Sequence, residues 1–363
     1  MSPQPWHAVV VGGGPAGIAC ALSLRSVGHS VLVINRSPRR PVPQWELLSP
    51  LMRVVLEKLG LLNEYDRVFD IPCHLIRSVW AEPVPTDKSS MFHPLGAGRM
   101  VDRGVFDKWL RDCAQKRGVC VWNESFLRAV SRRQNIFGLR DLEVQRGDET
   151  ASISARLVVD GTGRASVARR FWNARRRIVR RMAAILFLAQ PASPVSLTVE
   201  STAGGWWSAM CLGQAPSLVT FYTPVELLAQ HRSQMSQFIG ENLAETSAIS
   251  PLVRAGSWAG NRQIKEAGTS YLNPMAGDGW LACGDSAVRY DPLCGQGVFR
   301  AMLGGLRAGE AGSDYLAGSV ASFGPYEKQC LAELHTVQAR LQMIYGLETR
   351  WGSNNAEEHI GPE

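Results

Sequence analysis

The chain reads Trp6-His7-Ala8-Val9-Val10-Val11-Gly12-Gly13-Gly14-Pro15-Ala16-Gly17 near its start, and an apolar stretch, 18–27, follows. This pattern predicts a buried strand, a glycine turn and a helix. In such a turn Gly12 permits the tight bend, Gly14 lets the backbone approach a diphosphate, and Gly17 lets helix and strand pack closely. Free N–H groups at the helix start then face the phosphates. We therefore predict a dinucleotide site here.

The end of the second predicted strand bears on which dinucleotide is bound. Val31–Ile34 is an apolar run, and Asn35 and Arg36 follow it. Dinucleotide sites usually place an acid at this point, where it holds the ribose hydroxyls. Asn35 can still donate and accept hydrogen bonds. Arg36 suits a 2′-phosphate and hence NADP, whereas the later glycine motifs favour FAD.

The composition predicts an ordinary soluble protein with a large core. Of 363 residues, 45% are hydrophobic and 20% are charged, and the net charge is +7. Arginine supplies most of the positive charge, which suits an acidic partner or offsets cofactor phosphates. Because we find no nucleic-acid motif, transmembrane segment or secretory signal, we expect no nucleic-acid or membrane partner. Eight cysteines without CxxC spacing predict reduced thiols in the cytoplasm and no metal site.

Further glycine loops follow predicted strands later in the chain. Asp160-Gly161 lies near the middle, and Gly284-Asp285 lies in the last quarter. The loop Asp291-Pro292-Leu293-Cys294-Gly295-Gln296-Gly297 then precedes a predicted helix. Cys294 invites a thiol-redox role, but we favour a small packing residue because a buried thiol in apolar surroundings is usually inert.

Three polar residues stand at positions where chemistry is conceivable. Arg103, just before a predicted helix, suits a phosphate or flavin contact, or alternatively a surface pair with Asp102 or Asp107. Glu46 lies at a loop-to-helix junction, where a capping or solvated acid is as good an interpretation as a functional one. His93, next to a proline, is more typical of a structural loop histidine than of a catalyst.

The middle of the chain is the candidate second domain. Residues 182–264 show a β-like, turn-rich pattern with a helix predicted over 226–245. Trp206 and Trp207 are adjacent, so on a strand they point to opposite faces, and at most one of them faces a pocket.

An arginine-rich stretch precedes this domain. Seven arginines fall within thirteen residues, at positions 169, 170, 175, 176, 177, 180 and 181. We expect a basic helix on the solvated surface, with a docking face for an acidic partner as the alternative.

Together, the ordered glycine motifs resemble the glutathione-reductase-like class of flavoproteins, which includes p-hydroxybenzoate hydroxylase and the tryptophan halogenases. Within it, the chain is similar to the LodB-like group, whose members oxidise a tryptophan of a partner protein during tryptophylquinone formation. The stretches that carry the likeness are Glu46–Pro50, Gly205-Trp206-Trp207, Gly279–Ala287, Asp291–Gly297 and Glu348-Thr349-Arg350-Trp351. The chain departs from the group at Cys294 and Gly295, where two serines are common, and at Asn35.

The resemblance implies an FAD site and a discontinuous domain plan. The residues expected to hold FAD are Gly12, Gly14, Pro15, Ala16, Gly17, Asn35, Arg36, Arg103, Asp160, Gly161, Gly284, Asp285, Pro292, Gly295, Gln296 and Gly297. We expect an α/β fold with a Rossmann-like FAD-binding domain, a β-sheet substrate-covering domain and C-terminal helices. The expected bounds are 1–75, 95–175 and 265–350 for the first domain, 76–94 and 176–264 for the second, and 352–363 for a flexible tail.

The expected activity is hydroxylation of an aromatic ring through a flavin C4a-hydroperoxide, with O2 as co-substrate. The resemblance implies as substrate the indole of a tryptophan in a peptide or partner protein. The flavin chemistry belongs to the cofactor, reduced by NAD(P)H directly or through a separate flavin reductase. The candidate residues for proton transfer and ring positioning are Glu46, His93, Asp291, Trp206 and Trp207.

Other activities on this fold remain open. Halogenation is the first alternative, but it needs a lysine near the substrate, and Ile76-Arg77-Ser78 occupies the expected position. A guanidinium stays protonated and cannot replace that lysine. A flavin oxidase and an isoprenoid reductase are further alternatives.

Overall fold

A computed structural model describes residues 4–36, 44–90, 93–131, 134–135, 137–254, 262–319 and 323–351. The predicted tail, 352–363, lies outside these residues. Among the helices of this part of the chain, none is both long and apolar enough to cross a bilayer.

The described residues form twenty-one strands. The first eleven are β1 (Trp6–Val11), β2 (Val31–Ile34), β3 (Trp45–Leu48), β4 (Pro72–Cys73), β5 (Leu75–Val79), β6 (Thr86–Ser89), β7 (Gly98–Asp102), β8 (Cys120–Trp122), β9 (Ser125–Val130), β10 (Arg140–Arg146) and β11 (Glu149–Asp160). The remaining ten are β12 (Arg175–Arg180), β13 (Met182–Pro191), β14 (Ser196–Thr202), β15 (Gly205–Leu212), β16 (Ala215–Pro224), β17 (Gln263–Glu266), β18 (Thr269–Asn273), β19 (Ala276–Gly277), β20 (Trp280–Ala282) and β21 (Val288–Arg289).

The α-helices pack on these sheets, and short 3-10 turns connect several elements. The helices are α1 (Pro15–Ser26), α2 (Met52–Lys58), α3 (Leu62–Val68), α4 (Arg103–Lys116), α5 (Val167–Phe171), α6 (Val225–Gln230), α7 (Met235–Ala244), α8 (Gly297–Leu316) and α9 (Phe323–Gly346).

An eight-stranded sheet carries the first glycine loop. Its main strand order is β19-β20-β11-β1-β2-β8, and β10 and β9 extend it from β11. The pairs β1–β2, β1–β11, β2–β8 and β11–β20 are parallel, and both β1 and β2 are apolar because helices cover them. Strands β9 and β10 form an antiparallel extension of this sheet. This is the α/β nucleotide-binding architecture that the glycine motif predicts.

A seven-stranded sheet, in the order β17-β13-β16-β15-β14-β5-β6, forms the second large layer. On one face, which we call the core face, residues such as Ile185, Trp207 and Phe221 pack with Phe238 and Ile239 of α7. On the opposite face, which we call the site face, Met182, Ala184 and Trp206 pack with Val337, Leu341 and Tyr345 of α9. The alternation of side chains along β13 and β15 produces the two faces.

Helix α9 belongs to both halves of the molecule. Its first part contributes Phe323, Tyr326 and Leu334 to the core of the nucleotide-binding sheet. Its last turns contribute Leu341 and Tyr345 to the site face of the seven-stranded sheet. One continuous helix therefore fixes the second sheet to the nucleotide-binding core.

The arginine-rich stretch is not the basic helix that we predicted. Only the short α5 is helical, and Arg175–Arg180 forms β12, which pairs with β18 in a three-stranded sheet with β21. Charge density carries no periodicity, and pairing with a strand ninety residues away cannot be read locally. The helix predicted over 226–245 is likewise interrupted, because a 3-10 turn at Arg232–Gln234 separates α6 from α7.

Candidate active site

The first glycine loop is shaped by close backbone contacts. Gly12 has φ +115°, and a Cβ there would lie 2.2 Å from the Gly161 carbonyl oxygen. A Cβ on Gly17 would lie 1.9 Å from the Gly12 oxygen, whereas a Cβ on Gly14 would meet no described atom within 4 Å. Helix α1 has no side-chain cap at Gly14 and no acid in its first turn, with Pro15 leading its buried first turn. Its N-terminal N–H groups therefore suit an anionic ligand.

The second loop is anchored by Asp160, which is fully buried. One carboxylate oxygen accepts hydrogen bonds from the Thr162 backbone N–H at 3.0 Å and from the Ser286 hydroxyl at 3.0 Å. The other accepts from the Ala168 N–H at 2.8 Å. Through Ser286, Asp160 thus joins the second loop to the third. Gly161 packs on the Gly17 backbone.

The third loop meets the start of α1. Gly284 has φ +58°, and a Cβ there would lie 2.4 Å from the Cβ of Ala16. A Cβ on Gly305 of α8 would lie 2.1 Å from the Ala16 oxygen. Glycine therefore lets α8 and the third loop close directly on the first, and Asp285 remains partly exposed with Arg164 at 3.9 Å.

Arg103 lies among three carboxylates. Its guanidinium is 3.1 Å from Asp107 and 3.3 Å from Glu46. Burial acts to lower the pKa of Arg103, but Asp107, Glu46 and Asp285 outweigh it and raise that pKa. The structure therefore brings Arg103, Glu46 and Asp285 together beside the loops. Arg111, which the sequence did not single out, donates to the Gly13 carbonyl at 3.2 Å.

The strand end at Asn35 closes the other side of the first loop. Asn35 is 4% exposed and donates from Nδ2 to Asn123 at 2.9 Å. A Cβ on Gly13 would lie 2.8 Å from the Asn35 side chain, so the two are packed together. Arg36 is exposed, and its guanidinium lies 6.0 Å from the centroid of the Phe126 ring.

The loop from Pro292 to Gly297 leads into α8. Gly295 has φ +62°, and a Cβ on Gly295 or Gly297 would meet no described atom within 4 Å. Helix α8 has no side-chain cap and no acid in its first turn, and the Gln296 side chain accepts from Arg300 at 3.0 Å. Two uncapped helix starts, each with an open glycine, fit the anionic diphosphate and the ring of a flavin dinucleotide.

A buried carboxylate stands directly before this loop. Asp291 is 3% exposed, and its carboxylate accepts from the Tyr345 hydroxyl at 3.1 Å and from the Leu293 N–H at 2.9 Å. Arg180 lies 3.4 Å from Asp291, with its guanidinium 4.1 Å from the centroid of the Tyr345 ring. The Trp206 indole N–H donates to the Tyr345 oxygen at 3.1 Å. A chain of hydrogen bonds thus connects an aromatic wall to a carboxylate.

Burial governs the protonation of this chain. It raises the pKa of Asp291, against the opposing effects of Arg180, the Leu293 N–H and Tyr345. Burial also raises the pKa of Tyr345, so the phenol stays protonated. The Asp291 carboxyl group is therefore a better proton acceptor than an exposed aspartate.

Tyr222 completes the aromatic wall. Its ring stacks on that of Trp206, with centroids 3.9 Å apart and planes 17° apart. Burial, followed by the charge of Glu46, raises the pKa of Tyr222 to about 12. The charges of Glu46 and Asp291 both raise the pKa of this phenol, so Tyr222 lies near both predicted carboxylates.

Three of these site residues were missed in the sequence. Arg180 was hidden within the arginine run, and Tyr222 and Tyr345 carry no motif. The sequence offered two weak signals. Tyr222 stands at an alternating position of β16, and Tyr345 lies just before Glu348-Thr349-Arg350-Trp351.

Two predicted catalytic residues lie elsewhere. Trp207 is fully buried on the core face, where it stacks on Phe221 with centroids 4.4 Å apart. His93 is exposed, and its Nδ1 accepts from the Leu95 N–H at 3.2 Å. Their placement matches the structural alternatives, a core tryptophan and a loop histidine.

The C-terminal motif closes one side of the site. Glu348 accepts from the Ala81 N–H at 2.9 Å and from Arg350 at 2.6 Å, and it contacts the Ser201 hydroxyl. Burial would raise the pKa of Glu348, but these hydrogen bonds lower it to about 2. Trp80 donates to the Ile344 carbonyl at 2.8 Å. A small cavity lies between this network and the site, lined by residues that include Trp80, Trp206, Tyr345 and Glu348.

The register of the seven-stranded sheet shows which side chains near the expected lysine position face the site. Ser78 of β5 pairs with Val199, which shares the site face, so Arg77 points to the opposite face. Arg77 there forms a two-point ion pair with Asp87, at 2.8 Å for both contacts. However, Lys265 on β17 pairs with Ala184 and therefore projects from the site face. No motif in the sequence singles out this lysine.

The FAD binding domain family matches residues 6–305. The FAD-dependent oxidoreductase LodB of Marinomonas mediterranea is 25% identical over 354 residues, which cover 96% of this chain and 95% of that protein. A 1H-pyrrole-2-carbonyl peptidyl-carrier protein brominase of Pseudoalteromonas luteoviolacea is 24% identical over 331 residues, covering 85% and 77%.

Solved structures share the fold. The flavin-dependent halogenase CmlS superposes with TM-score 0.82 at 21% identity, covering 99% of this chain and 68% of that one. The peptidyl tryptophan dihydroxylase QhpG superposes with TM-score 0.76 at 22% identity, covering 97% and 78%. The predicted fold class and LodB-like resemblance are confirmed. The chain belongs to the FAD binding domain family and is a flavin-dependent oxidoreductase.

Proposed function

We propose that this protein is an FAD-dependent monooxygenase that hydroxylates the indole of a tryptophan in a peptide or partner protein. The observation that carries the proposal is the buried Asp291, hydrogen-bonded through Tyr345 to the stacked pair Trp206 and Tyr222, directly before the Pro292–Gly297 loop. The likeness to LodB and to a peptidyl tryptophan dihydroxylase supports this substrate class.

The glycine loops would hold the cofactor. Gly14 and the start of α1 would hold the diphosphate, and Asp285 and Arg103, which lie near one another, would contact the same cofactor. Gly295 and Gly297 leave open space for the flavin ring at the start of α8. When bound, FAD supplies the activation of O2 and the transfer of oxygen to the substrate.

The protein's own residues would position the substrate and manage protons. Trp206 is buried behind Tyr222, which is partly exposed and would offer the ring against which an indole stacks. Asp291 accepts the proton that an indole carbon loses after hydroxylation, since burial raises its pKa above that of an exposed aspartate. Tyr345 and Arg180 hold Asp291 in position, and Trp80 with the end of α9 excludes water from that side.

The electron donor and compartment follow as parts of the same proposal. We propose reduction by NAD(P)H, either directly or through a separate flavin reductase, and O2 as co-substrate. All eight cysteines are free thiols, which accords with action in the cytoplasm.

Mass spectrometry of a co-expressed tryptophan-bearing partner tests the proposal. We expect the tryptophan-containing peptide to gain one or two oxygens with the wild-type enzyme, and a far smaller modified fraction with Asp291→Asn at the same expression time. The control is the flavin absorbance of the purified variant, which should match the wild type. An unmodified peptide, in the presence of flavin-loaded enzyme and reductant, contradicts the proposal.

Halogenation is the second candidate, and Lys265 favours it. Strands in a sheet are about 4.8 Å apart, so Lys265 starts about 10 Å from Tyr222, two strands away on the same face. In bromide-containing medium a halogenase adds a halogen mass to the partner, and Lys265→Met abolishes that product. Under the hydroxylase proposal, Lys265→Met leaves oxygen incorporation unchanged.

A further inference from the structure

A long stretch without acidic residues lies beside the site. Between residues 161 and 199 the chain contains no aspartate or glutamate. Six arginines in this stretch are exposed. Four of them lie on two successive elements, Arg169 and Arg170 on α5 and Arg175 and Arg177 on β12. We call these four residues the arginine strip.

The charges of the arginine strip are not neutralised within the described chain. None of its members forms an ion pair with a described carboxylate, whereas the flanking Arg164 and Arg181 pair with Asp285 and Glu226. Burial, followed by repulsion from Arg289 and Arg169, lowers the pKa of the underlying Arg176 to about 10. Positive potential therefore accumulates on this surface.

The backbone beside these side chains is open as well. Among the described residues, β12 pairs only with β18, so it is an edge strand of the sheet β12-β18-β21. Ile178 is 49% exposed in the middle of β12. An edge strand can accept an extended segment of another chain through main-chain hydrogen bonds. Side chains of opposite charge on that segment would face the arginine strip.

The arginine strip also leads into the site. Strand β12 ends at Arg180, whose guanidinium lies 3.4 Å from Asp291 and over the Tyr345 ring. A strand advances about 3.3 Å per residue, which places Arg177 about 10 Å and Arg175 about 17 Å from Arg180 along the chain. A polypeptide following β12 therefore arrives within a few residues at Arg180, which contacts the buried Asp291 and Tyr345.

We propose that the arginine strip docks an acidic segment of the protein whose tryptophan is oxidised, with acidic residues about three to six positions from that tryptophan. This inference rests on the proposed function and defines its substrate more narrowly. The acidic segment adds to the edge of β12, and its carboxylates pair with Arg175 and Arg177. The tryptophan is thereby delivered toward Trp206 and Tyr222.

Fluorescence anisotropy with peptides that cannot react tests the docking. The labelled peptide carries phenylalanine in place of tryptophan and several glutamates on one side, and its control has glutamine at those positions. We expect the double variant Arg175→Glu/Arg177→Glu to raise the Kd of the acidic peptide about tenfold or more, with a weaker dependence on salt. The control double variant, Arg67→Glu/Arg146→Glu, makes the same change in net charge at exposed sites elsewhere and should alter the Kd less than twofold.

The outcomes separate docking from activity. Equal binding of acidic and neutral peptides, or equal losses in both double variants, overturns the docking proposal. A single-stranded oligonucleotide of matched charge that binds as tightly also overturns it, because the surface then attracts any polyanion. Failure of the proposed function would appear instead as unmodified tryptophan in the mass spectrum, whatever the anisotropy shows.

Discussion

Trp206 and Trp207 are neighbours on one strand, yet they belong to two different environments. Trp207 stacks on Phe221 in an apolar core sealed by α6 and α7. Trp206 stacks on Tyr222, and its indole N–H is bonded to Tyr345, which is bonded in turn to Asp291. The core face is filled by apolar side chains, while the site face holds charges and phenols. The same residue type thus supports stability on one side of the sheet and, in our proposal, chemistry on the other.

The largest expected effect tests the site face at its carboxylate. Asp291→Asn preserves the shape and the acceptor for the Leu293 N–H but removes the proton acceptor. We expect turnover to fall about 100-fold, as is typical when general acid–base catalysis is lost. Rapid-quench measurement of product formation, normalised to bound flavin, gives the ratio. A loss below threefold would remove Asp291 from the mechanism.

The pH dependence gives a second view of Asp291. Its pKa is raised in the folded protein, so its carboxylate form, which accepts protons, grows as pH rises through that raised value. Wild-type turnover should therefore rise with pH along an acid limb. The limb should be absent from the residual activity of Asp291→Asn, measured over the same pH range with flavin content checked at each point.

Glu348 tests how firmly the site face is held. Its pKa is about 2 in the folded protein against an ordinary 4.5, so its stabilisation is present above the ordinary value and lost as pH falls from there toward 2. We expect Glu348→Gln to cost about 1–3 kcal/mol in unfolding free energy at pH 7 and less at pH 3. Urea denaturation at both pH values measures this. A cost that does not change with pH contradicts the assignment.

Matched replacement of the two tryptophans sharpens the comparison directly. Trp207→Phe should lower the unfolding free energy by about 1–3 kcal/mol and leave turnover within about twofold, since it only loosens a core. Trp206→Phe removes the donor to Tyr345 and should lower turnover about three- to tenfold, the value of one hydrogen bond. Urea denaturation gives the unfolding free energy of each variant, and steady-state assays give its turnover. If the two variants behave alike, the faces do not differ in role.

Cys294 carries the smallest expected effect. Burial raises the pKa of its thiol, so it is a poor nucleophile at neutral pH. Cys294→Ser should leave turnover within about twofold, because serine is nearly isosteric and Cys294 packs beside the site-face cluster. Oxygen incorporation into the partner is the measurement. A large loss would instead indicate thiol chemistry beside the flavin.

Local sequence patterns were enough to predict the nucleotide-binding part of the fold. Gly12, Gly17 and Gly284 are required by contacts that leave no room for a Cβ, so their spacing could be read directly. The opposite orientations of Trp206 and Trp207 followed from strand periodicity alone.

The site face could not be derived in the same way. Arg180 and Tyr345 are 165 residues apart and meet only because α9 crosses the second sheet. Residues 175–180 form a strand because they pair with β18, and local propensity does not encode that pairing. Asp291 was found because it adjoins a glycine loop, whereas Tyr222 stands in no motif.

The sharing of α9 between both cores has a mechanical consequence. Its first half is buried with the nucleotide-binding sheet, and its second half carries Tyr345 against the second sheet. Neither sheet can open without disturbing this helix, so the two should melt as one cooperative unit. Amide protons of β1 and β15 should then exchange with deuterium at similar rates under conditions where global opening dominates. Helix α9 thus links the two cores, and truncating the chain within it should destabilise both sheets together.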